Sequence, residues 1–160
     1  MKPILLATAG SPSAAAATRA AIELAAQLET PLVVTTVEHV SAPSYGYFGY
    51  AEVYSELCKA EHEHVHAVLE DVAARAAEAG VPCETVALDG PAVGDEICRL
   101  AKAREASLIV IGAHGWGPVR RAFFGSVSLG VLHDAPCPVL VARGSTESQA
   151  RKVTLREVVA

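Results

Sequence analysis

From Leu108 to Ser128 the chain reads as an apolar run, a glycine-rich loop and a helix opening, and few folds accommodate that succession. Leu108 to Ile111 are four consecutive apolar residues, which predict a short strand buried on both faces. The run stops at Gly112, further glycines follow at Gly115 and Gly125, and Gly125-Ser126 predicts the start of a helix. A loop that leaves a strand and ends at a helix start presents unpaired backbone N–H groups and the positive end of the helix dipole. That arrangement suits an anion, above all a phosphate. Glycine lets backbone approach a ligand closely, and Ser126 and Ser128 add hydroxyls at the same place. A tight strand-to-helix connection with no ligand has the same glycines. No Gly-Lys-Ser/Thr occurs in the chain, and the spacing is not G-x-G-x-x-G, so two common phosphate loops are excluded.

The rest of the chain alternates apolar runs with helical periodicities. Ile4 to Thr8 reads as a first strand, broken at Gly10-Ser11-Pro12, where Ser11 is expected to cap a helix with Pro12 at its first position. Ala17, Ala21, Leu24 and Leu28 form that helix's inward stripe, and Thr30-Pro31 ends it. Leu32 to Val37 is a second strand, rich in β-branched residues. A long helix is expected from about Glu52 to Ala79, ending at Gly80. Its buried stripe is Val65, Leu69, Val72 and Ala76, with Cys58 and His62 extending the line. A third strand follows over Glu84–Leu88, and a helix after Gly90-Pro91 turns Ile97, Leu100 and Ala101 inward. After the glycine loop come a helix from Ser126 to about His133 and a last strand over Pro138–Ala142. Strands alternating with helices predict an α/β fold whose parallel sheet is covered on both faces.

Two segments interrupt this order. Residues 41–51 hold three of the chain's 4 tyrosines and one of its 3 phenylalanines, which fits a surface loop or a lid beside a binding crevice. The tail 144–160 is polar to about Lys152 and then apolar, and reads as a loose end or as an added element on a partner.

At 160 residues the chain suits one domain, and 51% hydrophobic with 19% charged residues is a globular composition. A formal charge of -5 argues against nucleic acid or an acidic membrane as the partner. No run reaches membrane-span length. Lys2, Ile4-Leu5-Leu6 and Ala7-Thr8-Ala9 imitate a secretory leader, but the apolar part is too short, and a cytoplasmic protein is expected. The 4 cysteines have no CxxC pairing and read as small buried residues of a reducing compartment.

The full spacing, Gly112, two residues, Gly115, nine residues, Gly125-Ser126, resembles the nucleotide-binding motif of the universal stress protein family. Ala135-Pro136-Cys137-Pro138-Val139-Leu140-Val141 is similar to that family's last strand, and the likeness covers roughly residues 2 to 143. It implies a domain over 1–143 followed by the tail. It implies an open five-stranded parallel sheet in the order 3-2-1-4-5, Rossmann-like and of the adenine nucleotide alpha hydrolase type. In that order winding reverses between strands one and four, and ligands of open α/β sheets bind at such a reversal. The resemblance implies ATP or another adenine nucleotide as ligand, with or without Mg2+. It places the nucleotide on Ala7, Ala9, Val37, Ile111, Gly112, His114, Gly115, Gly125, Ser126, Val127 and Ser128. Of these, Val37 would hold adenine through main chain, and Gly112 onward would hold phosphates. Arg120 and Arg121 either add charge or are solvated, and Trp116 either covers the ligand or packs. A homodimer through the last strand is also implied.

One departure stands out. ATP-binding members usually carry Asp after the first strand, where this chain has Ala9 in Ala7-Thr8-Ala9-Gly10-Ser11. Losing a charged hydrogen bond costs ~1.5–3 kcal/mol, roughly tenfold to a hundredfold in affinity. Weaker binding or a moved specificity is the expectation. No hydrolytic machinery is evident, since a solvated loop carboxylate is the ordinary role for Asp89 and Glu38, so no catalytic residue is assigned. No metal site is assigned either. Cys58–His62 and His62–His66 are each one turn apart and can pair on an ion. Cys58 to His66 spans ~12 Å of helix, too far for one ion held by all three. The expected function is therefore a nucleotide-binding regulator of stress response. The alternatives are an interaction protein of the same fold without nucleotide, and a slow ATPase or self-phosphorylating protein with Ser126 or Ser128 as acceptor.

Overall fold

The computed structural model describes residues 1–11, 14–38, 51–113 and 126–143, with backbone only for 38 and 51–54. The tyrosine-rich loop, most of the glycine loop and the tail lie outside the described residues. The elements, in order, are β1 (Ile4–Ala7), α1 (Ala15–Gln27), β2 (Leu32–Glu38), α2 (Ala51–Glu78) and β3 (Cys83–Asp89). Then come α3 (Val93–Ala103), β4 (Leu108–Gly112), α4 (Ser126–Asp134) and β5 (Val139–Ala142). The sheet is five-stranded and parallel in the order β3-β2-β1-β4-β5, as the resemblance implied. In register, Leu5 of β1 lies beside Val33 of β2 and Ile109 of β4.

Alternation along the strands splits the core in two. Ile4, Leu6, Leu32, Val34 and Val110 face α1 and α2, where they meet Ala17, Ala21, Leu24, Val65, Leu69, Val72 and Ala76. Leu5, Val33, Ile109 and Ile111 face the other way, onto Ile97, Leu100 and Ala101 of α3 and Val131 of α4. Both-face burial holds for the central strands only. The edge strand β3 alternates between half-buried Val86 and Leu88 and exposed Thr85 and Ala87, and all of β5 is half-buried.

Three helices end alike. After α1 the N–H of Glu29 donates to Ala26 O and that of Thr30 to Ala25 O; α2 repeats the pair through Gly80 and Val81, and α3 through Glu105 and Ala106. The turn needs a left-handed residue, and φ is 51° at Glu29, 71° at Gly80 and 50° at Glu105. Two glutamates thus occupy positions that favour glycine.

Several local expectations shift. The first helix is α-helical from Ala15, and its expected opening at Pro12 lies outside the described residues; the Ala14 N–H donates to the Ser11 carbonyl at 2.9 Å. Leu28 caps that helix and is 44% exposed instead of inward. The cysteines are half-buried, not buried, and all are free thiols. Burial pushes the Cys83, Cys98 and Cys137 thiols above their ordinary value, and Glu84 raises Cys83 further, so none of these three is an activated nucleophile. Arg104 at the end of α3 donates from Nε and a terminal nitrogen to Glu84 of β3 at 3.1 and 2.7 Å, and this hydrogen bonding holds the Glu84 carboxyl below its usual range.

Candidate nucleotide crevice

The carboxyl ends of β1, β2 and β4 open into one crevice at the point where the winding of the sheet reverses. β1 contributes Ala7, with Thr8 and Ala9 just beyond it, and β2 contributes Thr35, Thr36 and Val37. β4 contributes Ile111 and Gly112. Ser11 and Ala14 enter from the approach to α1, Val93 and Ile97 from α3, and Val127 and Ser128 from α4. The walls are therefore aliphatic, with five hydroxyls and no charged side chain among the described lining residues.

The turn after β1 is fixed from outside the crevice by α2. Gly10 has φ +68°, and a Cβ there would lie 2.3 Å from Val68 Cγ2, so both conformation and space require glycine. The Gly10 N–H donates to Thr8 Oγ1 at 3.3 Å. His64 Nε2 stands 3.4 Å from the Ala9 carbonyl. The Thr8 N–H continues the ladder onto Thr35 O at 3.0 Å, which keeps the ends of β1 and β2 level.

On the opposite wall Ser128 is 5% exposed, and its hydroxyl donates to the Gly112 carbonyl at 2.9 Å. This bond ties the first turn of α4 to the end of β4 across the glycine loop. It gives Ser128 a structural duty that spacing alone did not reveal, while its oxygen still has a lone pair to accept with.

Electrostatically, α1 and α4 both begin at the crevice, and neither carries an acidic residue in its first turn. Their dipole ends are uncompensated there, which favours an anion. The first turn of α3, by contrast, carries Asp95 and Glu96.

Of the residues expected from the sequence, Ala7, Ala9, Val37, Ile111, Gly112, Val127 and Ser128 line this crevice together. Ser126 is the exposed first residue of α4 and is not among the lining residues. His114, Gly115 and Gly125 lie outside the described residues, as do Trp116, Arg120 and Arg121. Sequence reasoning missed the α3 wall. Val93 and Ile97 are an i, i+4 pair at the start of that helix, and Ile97 was read as core alone. Thr8, just past β1, and Thr35 and Thr36 of β2, where Thr35 pairs with the last residue of β1, were also missed.

The chain matches the model of the universal stress protein family over residues 1–143. It is 35% identical over 147 residues to a universal stress protein of Methanocaldococcus jannaschii, covering 89% of this chain and 82% of the relative. Among solved structures, the universal stress protein UspA from Lactobacillus plantarum superposes with a TM-score of 0.77 at 30% identity, covering 89% of this chain and 97% of that one. A universal stress protein in complex with cAMP has a TM-score of 0.61 at 27% identity, covering 90% of this chain and 98% of that one.

Proposed function

Because the chain belongs to the universal stress protein family, we propose that its crevice binds an adenine nucleotide and that the protein acts as a nucleotide-responsive regulator. The observation that carries this is the meeting of two uncompensated helix N-termini, α1 and α4, over an aliphatic slot at the winding reversal of the sheet. An aliphatic slot accepts a planar base, and helix N-termini accept phosphate. The cAMP complex of a structural relative supports the same ligand class. ATP, with or without Mg2+, is the form proposed. The base lies between Val37, Ala7 and Ile111, and the phosphates lie on Gly112, Gly115, Gly125, Ser126, Val127 and Ser128, with His114 beside them.

Ala9 lines the crevice, so the missing carboxylate is missing from the site itself. That favours a second reading, an interaction protein of the same fold that has given up the nucleotide. In both readings the protein is cytoplasmic and dimeric, consistent with β5, which among the described residues pairs only with β4 at the edge of the sheet. Among the described residues no helix is long and apolar enough to cross a membrane.

The test is to denature the protein as purified, identify any released nucleotide by mass spectrometry, and titrate ATP with Mg2+ by calorimetry. Bound or titratable adenine nucleotide, abolished by Gly115→Val, is the expected result. No released nucleotide and no heat up to millimolar ATP would transfer the protein to the second reading. Sedimentation as a monomer at micromolar concentration would remove the dimer.

A further inference from the structure

Helix α2 is longer than the sheet it lies on. Its 28 residues span about 42 Å at 1.5 Å per residue, whereas the seven residues of β2 or β3 span about 23 Å. Its buried stripe begins at Val65, and none of residues 55–64 is buried. Residues 55–64 of α2 therefore stand clear of the core. On the same helix His62 and His66, both exposed, lie one turn apart with ring centroids 4.3 Å apart at 67°.

We propose that His62 and His66 form a chelating pair for a divalent late first-row transition ion: copper(II), nickel(II) or zinc(II). Residues at i and i+4 stand one above the other on a helix face, so both rings can reach one ion without bending the backbone. The separation suits it. A metal–nitrogen bond of about 2.0–2.1 Å puts the metal about 3.2 Å from a ring centre, so two imidazoles at about 90° have centres about 4.5 Å apart. The rings stand close to that value without any ion. Imidazole selects these metals over Mg2+, which prefers oxygen, so the pair is chemically separate from any magnesium that accompanies a nucleotide.

The surroundings fix the ligand number. Among the described residues no cluster of three or more metal-ligating side chains exists, so water completes the coordination. Glu63 and Glu70 lie within about a turn of His66 along the helix and Lys59 within a turn of His62, which leaves the local charge in favour of a cation. Cys58, one turn before His62, is half-buried and two turns from His66, so it cannot share an ion with the whole pair. His64 points elsewhere, toward the Ala9 carbonyl.

The experiment uses the full chain without an affinity tag. NiCl2 and ZnCl2 are titrated by calorimetry in a non-chelating buffer, and CuCl2 is followed by electron paramagnetic resonance. A single ion per chain, bound in the order copper, nickel, then zinc, with nitrogen hyperfine structure from two imidazoles, is expected. His62→Ala and His66→Ala should each weaken binding by more than about tenfold, while His64→Ala and Cys58→Ser leave it unchanged. Circular dichroism confirms that each variant stays helical. No bound ion at millimolar metal, binding that survives His62→Ala, or binding lost with His64→Ala or Cys58→Ser would each overturn the assignment.

Discussion

The two faces of the sheet are built from alternate residues of the same strands, yet they do different work. On the α1/α2 face, Ile4, Leu6, Leu32, Val34 and Val110 are closed over by two helices with small or branched residues, and none of the five is more than 1% exposed. On the α3/α4 face, Leu5, Val33, Ile109 and Ile111 are also buried, but Ile111 of β4 and Ile97 of α3 line a gap between α3, α4 and the strand ends, and that gap is the crevice. Exposed apolar residues occur on both sides, Leu28 and Leu57 at 44% and 56% at the end of α1 and on α2, and Leu129 and Leu132 at 51% and 41% on α4. One face is packing alone, and the other gives up part of its packing to leave a slot. The lesson is that a one-residue step along β1, from Leu6 to Ala7, passes from the stability of the domain to its ligand site.

Replacing a residue on each face tests that division most strongly. Leu6→Ala, in the central strand on the closed face and 0% exposed, should cost about 2–5 kcal/mol in urea unfolding. Ile97→Ala, 2% exposed but lining the crevice, should cost at least about 1 kcal/mol less, because its vacated volume joins an open slot instead of an enclosed hole. Equal costs would mean that the second face is as closed as the first.

A smaller effect is expected where the first face grips the site. Gly10→Ala drives a Cβ into Val68 at a left-handed backbone position and should destabilise by about 1–3 kcal/mol while also weakening nucleotide binding. Adding Val68→Ala should return part of the loss, a coupling readable in a double-mutant cycle. Strictly additive effects would show that α2 does not hold the turn.

Ser128→Ala removes the hydroxyl that ties α4 to Gly112 and should cost about 0.5–1.5 kcal/mol. Amide hydrogen exchange should quicken in the first turn of α4 and at the end of β4, and not on the α1/α2 face. Faster exchange across the whole sheet would count against so local a role.

The smallest change should leave the contrast untouched. Glu29→Gly and Glu105→Gly relieve left-handed glutamates at the ends of α1 and α3, one helix from each face, and should each stabilise by up to about 1 kcal/mol. Both ends lie away from the crevice, so nucleotide affinity should not move. A change in affinity would mean that stability and site are not separable in this way.

Much of this architecture was legible in the chain because periodicity reports burial. Val65, Leu69, Val72 and Ala76 are all buried, as are Ile97, Leu100 and Ala101. The same stripe failed one turn earlier, where His62 is exposed, because periodicity says which face a residue is on and not whether a sheet lies beneath it. The crevice was half legible. Residues beside the glycine motif and the strand ends were found from family resemblance, whereas Val93 and Ile97 came from a helix distant in sequence that only the fold brings to the site.

The most direct test of the account is an amide-shift titration of the protein with ADP by nuclear magnetic resonance. Saturable shifts confined to Ala7 to Ser11, Val37 and the stretch from Ile111 to Ser128, with the α2 residues beyond Val68 unmoved, are the expected result. Saturable shifts mapped instead to β5 and the exposed side of α4, or none at millimolar ADP, would contradict the claim that the slot on the α3/α4 face is a nucleotide site.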